Sequence, residues 1–592
     1  MTFDYGPQIS SDGVAFRLWA PKSREVKLKI EGKTPLIMDS DEGGWHKNNV
    51  SGIREGTRYL FVLDDGLEVP DPASRFQPHD VHGPSEVIDL GAYPWKQSNW
   101  LGRPWEECVL YELHIGAFTD EGTFRAAIGR LDHLAELGVT AIQIMPIGDF
   151  PGRFGWGYDG VLPYAPDSNY GRPQDFMAFI EAAHERSIAV FVDVVYNHFG
   201  PDGNYFGHYS PLFTDRHQTP WGAGINYDGT DSNPVREFVI QNALYWITAF
   251  RVDGLRLDAV HAIQDDSKKH LLHELTERVR NAAGDRHVHI IAENEDNDAA
   301  LLERRKEGQP LYFTAQWNDD IHHVLHVAVT NERFAYYEDY GAEPAQIGRA
   351  LAEGFVFQGD HMPYRGTPRG KPSAHLPPTA FVSFVQNHDQ IGNRAAGDRM
   401  AARTAPNALQ AVAAVYLLAP QIPMLFMGEE WGAAEPFPYF CDFDEELNQK
   451  VREGRKKELS KLPDFDAAHA LDPTAETTFK AAKLDWRSLV DRTEMLTLYR
   501  DLLRLRHREI TPRLKRVAGG IGHYDADAPY VSVQWRLADG SRLRLAANLT
   551  ENSVPNAAID LGQPLFALGS LRERDLAPWT VGWWLVTPES SQ

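Results

Sequence analysis

From Cys108 onward, short apolar strands alternate with helices, and this alternation limits the fold more than any other feature of the chain. The pattern predicts strands at Val109–Ile115, Val139–Met145, Ile188–Val195, Val252–Asp258, Val288–Ala292, Leu311–Ala315, Ala380–Val385 and Ile422–Phe426. It predicts helices at Thr123–Leu137, Gln174–Arg186, Val235–Phe250 and Met495–Arg506. In the first helix Phe124, Ile128, Leu131 and Ala135 share one face, and Gly138 can stop it. Eight strand–helix units over about 400 residues fit a (β/α)8 TIM barrel with long rim insertions. The longest insertion runs from Gly428 to near Leu484.

On both sides of this region the period changes to two. Val14–Trp19, Val26–Ile30 and Tyr59–Leu63 alternate apolar and polar, as do Val531–Leu537, Leu543–Leu549 and Trp583–Val586. The expected architecture is therefore multidomain α/β. It has an N-terminal β-sandwich (1–90), a Trp-rich linker (91–107), a barrel (108–509) and a C-terminal antiparallel β-domain (510–592). A formal net charge of −24 leaves nothing to neutralise phosphates, so nucleic acid is not an expected partner. It suits a neutral substrate. Two cysteines, Cys108 and Cys441, allow one bridge at most and no CxxC metal motif. The N-terminus lacks a basic-then-apolar leader, and no window is apolar enough to span a bilayer. A cytoplasmic protein without a membrane partner is the expectation.

Four segments end predicted strands in acidic or basic residues: DVVYNH (Asp193–His198), GLRLD (Gly254–Asp258), IIAEN (Ile290–Asn294) and FVQNHD (Phe384–Asp389). A barrel gathers the C-terminal ends of its strands on one rim. Asp258 has Arg256 two residues earlier, on the same strand face, where a guanidinium holds a carboxylate ionised and oriented. Glu293 follows an apolar lead-in, a setting that raises a carboxylic acid toward proton donation. Asp389 and His388 form an acid–imidazole pair. Taken singly, each has a structural reading: an ion pair at a strand end, a helix N-terminal carboxylate, a turn. Converging carboxylates are the equipment for breaking a glycosidic bond.

The order and setting of these segments resemble the α-amylase family of glycoside hydrolases over the whole chain. By that resemblance Asp258 is the nucleophile, Glu293 the general acid/base and Asp389 the transition-state stabiliser. Tyr158, Asp193, His198, Arg256 and His388 would bind the attacked sugar. A double displacement with retention is implied, which requires carboxyl groups about 5–5.5 Å apart. The resemblance also makes the N-terminal sandwich similar to a carbohydrate-binding module, with packing on the barrel its expected role. No cofactor and no metal are expected, because the insertion Phe199–Asn233 shows only scattered Asp residues.

Five segments are more particular: Tyr111–Phe124, Phe154–Gly171, Thr219–Gly229, Gln316–His323 and Gln386–Ala395. They resemble the family members that hydrolyse the α-1,4 bond beside a terminal trehalose of a maltooligosaccharide. The pathway partner implied is the synthase that makes the trehalose end. Glycogen branching enzymes share the architecture, but their fourth segment typically continues from HD with Glu and Val, whereas here it reads HDQIGNR. A non-catalytic glycan-binding protein would be expected to lack one of the three carboxylates. Trp317, Asn318, Asp319 and Asp320 stand where a trehalose end could be read; alternatively Asp319 or Asp320 caps a helix at Ile321–Val329.

Overall fold

In the computed structural model eight parallel strands close into a barrel: β1 (Leu110–Leu113), β2 (Ala141–Ile144), β3 (Ala189–Val194), β4 (Gly254–Leu257), β5 (His289–Ala292), β6 (Ala315–Trp317), β7 (Phe381–Ser383) and β8 (Ile422–Phe426), with β8 pairing back to β1. The structure describes residues 3–462, 470–555, 557, 562–572 and 575–587. Residues 463–469 of the Gly428–Leu484 insertion, and the last residues of the C-terminal region, lie outside that range.

Period two decides what fills the barrel. Leu110, Ala141, Ala189, Phe191, Ile291, Ala315, Trp317, Val382, Ile422 and Met424 form one buried interior cluster. Their neighbours in sequence, such as Ile142, Val190, Leu255, Ile290 and Leu425, join the larger core under the surrounding helices. Side chains alternate across a strand. The inward parity therefore runs on to Glu112 from Leu110, to Asp193 from Ala189 and Phe191, and to Glu293 from Ile291. Gly254 sits where the interior is tightest: an added Cβ would lie 2.6 Å from the His289 carbonyl and 2.7 Å from the Phe191 ring.

Before the barrel lie two antiparallel sheets. One is built on Gly13–Trp19 and Trp45–Val50, the other on Lys27–Ile30 and Arg58–Val62. They dock on the barrel through Tyr5, whose hydroxyl donates to the Pro234 carbonyl at 2.7 Å, and through Arg75, which lies over the rings of Tyr164 and Tyr245. In the stretch joining them to β1, the indoles of Trp100 and Trp105 donate to Asp253 and to the Thr379 carbonyl. After the barrel comes an antiparallel sheet with the order Gly522–Tyr524, Val531–Arg536, Arg542–Asn548, Thr580–Val586, Phe566–Leu568. Trp583 anchors it by donating to the Ala414 carbonyl, 2.9 Å away.

Two local expectations differ from the structure. Thr123–Leu137 is not one helix but two, Phe124–Ile128 and Leu131–Leu137, broken at Gly129–Arg130; Gly138, at φ 104°, ends the second. The sixth strand lies at Ala315–Trp317, not at Leu311–Ala315. Pairing sets its position: Ile291 is opposite Ala315 and Ala292 opposite Gln316. The apolar residues just before it, including Phe313, pack beneath the Ala299–Leu302 turn instead. Among the described residues no helix is long and apolar enough to cross a membrane.

Candidate active site

Strand register builds the site. Asp193 of β3 is paired with Arg256 of β4, and Leu257 of β4 with Ala292 of β5. One step further, Asp258 and Glu293 leave the rim side by side. Arg256 is fully buried beneath them. Its Nη1 donates to Asp193 Oδ2 at 2.7 Å and to Asp258 Oδ1 at 2.8 Å, and its Nη2 lies 3.7 Å from Glu293 Oε2. The guanidinium stands 4.1 Å above the Trp317 ring, a cation–π contact that fixes its plane from below.

The two central carboxylates are held differently. Asp258 accepts from Arg256 on one oxygen and from Asn197 Nδ2, at 2.9 Å, on the other. Together the two bonds fix the orientation of the carboxylate. Glu293 accepts the backbone N–H of Ala259 at 2.7 Å. Ala259 is in the left-handed region, φ 39°, ψ 53°, which is strained for a residue with a Cβ. Burial raises the Glu293 pKa above its ordinary value, against the pull of Arg256 and with the help of the Asp258 charge. One carboxylate thus has the environment of a nucleophile and its neighbour that of an acid.

Across the rim, His388 and Asp389 open the short helix His388–Gly392, whose N-cap is Asn387. His388 donates from Nδ1 to Glu112 Oε1 at 2.7 Å, and its Nε2 lies 3.4 Å from Asp389 Oδ1. Burial opposes protonation, but Asp389 and Glu112 outweigh it and push His388 up to about 10. Asp389 is in turn held below the ordinary carboxylate range, His388 overcoming the effect of burial. Tyr158 lies flat against His388, ring centroids 5.1 Å apart, and its hydroxyl donates to Asp193 Oδ2 at 2.7 Å. Burial pushes Asp193 up to about 7 against the pull of Arg256.

The eight residues singled out from sequence all lie at this rim. Tyr158, Asp193, Arg256, Asp258 and Glu293 form one connected network, with His388 and Asp389 joined to it through the Tyr158 ring. His198 stands to one side, bonded to Asn197 and stacked on Trp221, with ring centroids 4.6 Å apart. Three participants were not singled out. Glu112 is a fully buried acid on β1, and its place at an inward position of an otherwise apolar strand was the available signal. Asn197 was in plain view inside DVVYNH. Trp221, half exposed at the tip of the Phe213–Ile225 hairpin, had only its aromatic character to mark it. In the other direction, Trp317 is buried under Arg256 and unavailable at the surface.

The insertion Phe199–Asn233 is also less scattered than its sequence suggests. Ligand atoms of His217, Asp228 and, from the next loop, Asp266 lie within 4.8 Å of one another. Arg216 already faces Asp228 Oδ1 at 3.1 Å and His217 bonds its other oxygen, so protein groups already meet both oxygens of that carboxylate.

Comparison with known proteins agrees with the geometry. The family model for the alpha amylase catalytic domain matches residues 45–218, and that for DUF3459, a domain of unknown function, matches residues 519–583. The malto-oligosyltrehalose trehalohydrolase of Saccharolobus solfataricus is 44% identical over 510 residues, covering 86% of this chain and 87% of the relative. The Deinococcus radiodurans protein of the same name is 42% identical, covering 85% and 82%. A 1,4-alpha-glucan branching enzyme of Rhodospirillum rubrum is 30% identical over 42% of this chain and 37% of its own length. A Salmonella typhimurium crystal structure described as an alpha amylase superposes with a TM-score of 0.95 at 44% identity, over 99% of this chain and all of the other.

Proposed function

This chain belongs to the malto-oligosyltrehalose trehalohydrolases of the alpha-amylase family, and from that premise we propose how its own residues carry the reaction. The enzyme hydrolyses the α-1,4 glucosidic bond next to the terminal trehalose of a maltooligosyltrehalose, releasing trehalose and a maltooligosaccharide. Asp258 attacks the anomeric carbon as Glu293 gives its proton to the departing oxygen. The glycosyl–Asp258 ester forms as the glycosidic bond breaks. Water then attacks that carbon, Glu293 takes the proton, and Asp258 leaves as carboxylate, giving net retention.

The observation that carries this reading is Arg256. A single guanidinium contacts Asp258 and Asp193 and reaches Glu293, so it orients Asp258 and holds the pair close. Asp389 with His388 clamps hydroxyls of the attacked sugar, and its negative charge favours the oxocarbenium-like transition state. Tyr158, Asp193, His198 and Arg256 line the same subsite. The division into a 1–90 sandwich, a 91–107 linker, a 108–509 catalytic barrel and a 510–592 β-domain belongs to the same reading. So does a cytoplasmic setting in which a maltooligosyltrehalose synthase supplies the substrate.

Product analysis on maltotriosyltrehalose and maltopentaose tests it. Fast release of trehalose from the first and slow attack on the second is the expected result. Equal cleavage of both would reduce the enzyme to a general amylase.

A further inference from the structure

Three polar residues follow β6, and the structure gives two of them full employment. Asn318 is the N-cap of the helix Asp319–Thr330: its side chain accepts the Ile321 N–H and donates to the Gly354 carbonyl. Asp320 is fully buried, and its two oxygens accept from Tyr340, Arg369, Asn297 and the backbone of Val356 and Phe357. Asp319 does neither job. It makes no hydrogen bond and no ion pair among the described residues. It is half-buried, and neither carboxyl oxygen is among the sealed, unpartnered atoms of the interior.

Its position explains where that carboxyl faces. Ala315 and Trp317 point into the barrel, and Asp319 follows them as the first residue of the helix that leaves the rim. The neighbouring strand ends in Glu293, one step past the Ala292–Gln316 register pair. The charges acting on Asp319 are led by Glu293, with Arg369, Asp389 and Asp320 behind it. In the barrel order β6 lies on the far side of β5 from β4, the strand that leads to Asp258. Asp319 therefore stands on the side of the acid, away from the nucleophile. The acid touches the glycosidic oxygen, which is the first atom of the departing sugar.

We propose that Asp319 is a specificity-determining residue, reading the departing trehalose unit through hydrogen bonds to its hydroxyls. This rests on the trehalohydrolase reading and adds the group that recognises the leaving side. Burial and the Glu293 charge hold the Asp319 carboxyl well above the ordinary range. A protonated carboxyl both donates and accepts, which suits a sugar hydroxyl. Trehalose and maltose leaving groups share the first glucose and differ in where the second one projects. A polar group left unpaired by the wrong partner is a strong means of discrimination.

The test compares wild type with Asp319→Ala and Asp319→Asn on three substrates. Maltotriosyltrehalose and maltopentaose differ on the leaving side, and α-maltotriosyl fluoride fills the donor side with no leaving sugar. The variants are expected to lose roughly 10- to 100-fold in kcat/KM on maltotriosyltrehalose, to lose far less on the fluoride, and so to lose their preference over maltopentaose. Turnover of the fluoride also reports that the variant is folded. An equal loss on fluoride and trehalose substrates would overturn the proposal, placing Asp319 on the donor side. An unchanged preference in both variants would overturn it as well. Failure of the parent reading looks different: wild type itself would show no preference.

Discussion

The His388 imidazole and the Glu112 carboxylate are bonded at 2.7 Å across 276 residues of sequence, both wholly buried. Glu112 comes from β1 and His388 from the loop after β7, so only barrel closure brings them together. Glu112 and Asp389 together hold His388 up to about 10 against burial.

Replacing Glu112 by Gln should therefore drop the His388 pKa and pull the alkaline limb of kcat toward neutrality. A charge-assisted hydrogen bond is worth about 1.5–3 kcal/mol, so a loss of roughly 10- to 100-fold at pH 8 is the expected scale. The sign of the stability effect follows from the raised pKa. Protonated His388 stabilises the fold fully below its ordinary value of 6.5, and that contribution fades as pH rises toward 10. Melting curves should separate wild type and variant most below pH 6.5 and converge near pH 10. A constant separation would mean that Glu112 acts by packing alone.

Asp258→Asn and Glu293→Gln should each lower kcat on maltotriosyltrehalose by about 10³-fold or more, a size in keeping with loss of a nucleophile or a general acid. They part company on α-maltotriosyl fluoride. Fluoride leaves without a proton, so the Glu293 variant should recover formation of the glycosyl-enzyme, seen as a burst, while the Asp258 variant should not. Glu293 is raised by burial and must be protonated to act. Wild-type kcat/KM should thus fall as pH climbs past that raised value, and this fall should be missing for Glu293→Gln on the fluoride. Matching behaviour of the two variants on both substrates would remove the assignment.

The barrel and the convergence at its rim were legible because both depend on short periods. Apolar runs mark parallel strands buried on both sides, and parity along each strand tells which acid points inward. Asp193, Arg256, Asp258 and Glu293 are separated by 100 residues or fewer, yet register alone decides that they touch. What escaped the sequence depended on packing between distant elements. Glu112 reads as an ordinary strand acid until His388 is set against it. Trp317 reads as a rim aromatic until β6 shifts toward the C-terminus and buries it under Arg256. The cap of the helix after β6 was expected at Asp319 or Asp320 and lies at Asn318, because Asn and Asp both cap well and only backbone geometry selects one.

Trp221 sits half exposed at the hairpin tip, its indole tilted only 12° from the His198 ring. A hydrophobic residue left open beside a sugar subsite offers a stacking face. Trp221→Ala should raise KM for maltotriosyltrehalose about 3- to 10-fold and leave kcat within about twofold, since an aromatic contact of this kind is worth roughly 0.5–1.5 kcal/mol. Initial-rate kinetics decide it; a fall in kcat with KM unchanged would mean that the indole orients His198.

The loop that presents Tyr158 is closed at its base by two acids. Asp149 and Asp167 lie on paired strands, Gly148–Asp149 and Leu162–Pro166 with the turn after it, and both are almost fully buried. Among the described residues neither forms an ion pair, and one oxygen of Asp149 has no hydrogen-bond partner. Burial is the main cause that raises both, with Asp167 and Asp80 adding to it at Asp149; Asp167 reaches about 7. The folded protein therefore keeps a proton that the unfolded chain has released, throughout the window from the ordinary carboxylate value near 4 up to about 7. Stability from this pair is complete below that window and is lost as pH rises through it. Asp149→Asn keeps the shape and removes the ionisation. It should raise Tm at pH 8, by about 1 °C per kcal/mol recovered, and change little at pH 4. Melts at the two pH values test this. A gain of equal size at both would show that Asp149 holds no extra proton in the fold, and that the Tyr158 loop is fastened by its backbone bonds alone.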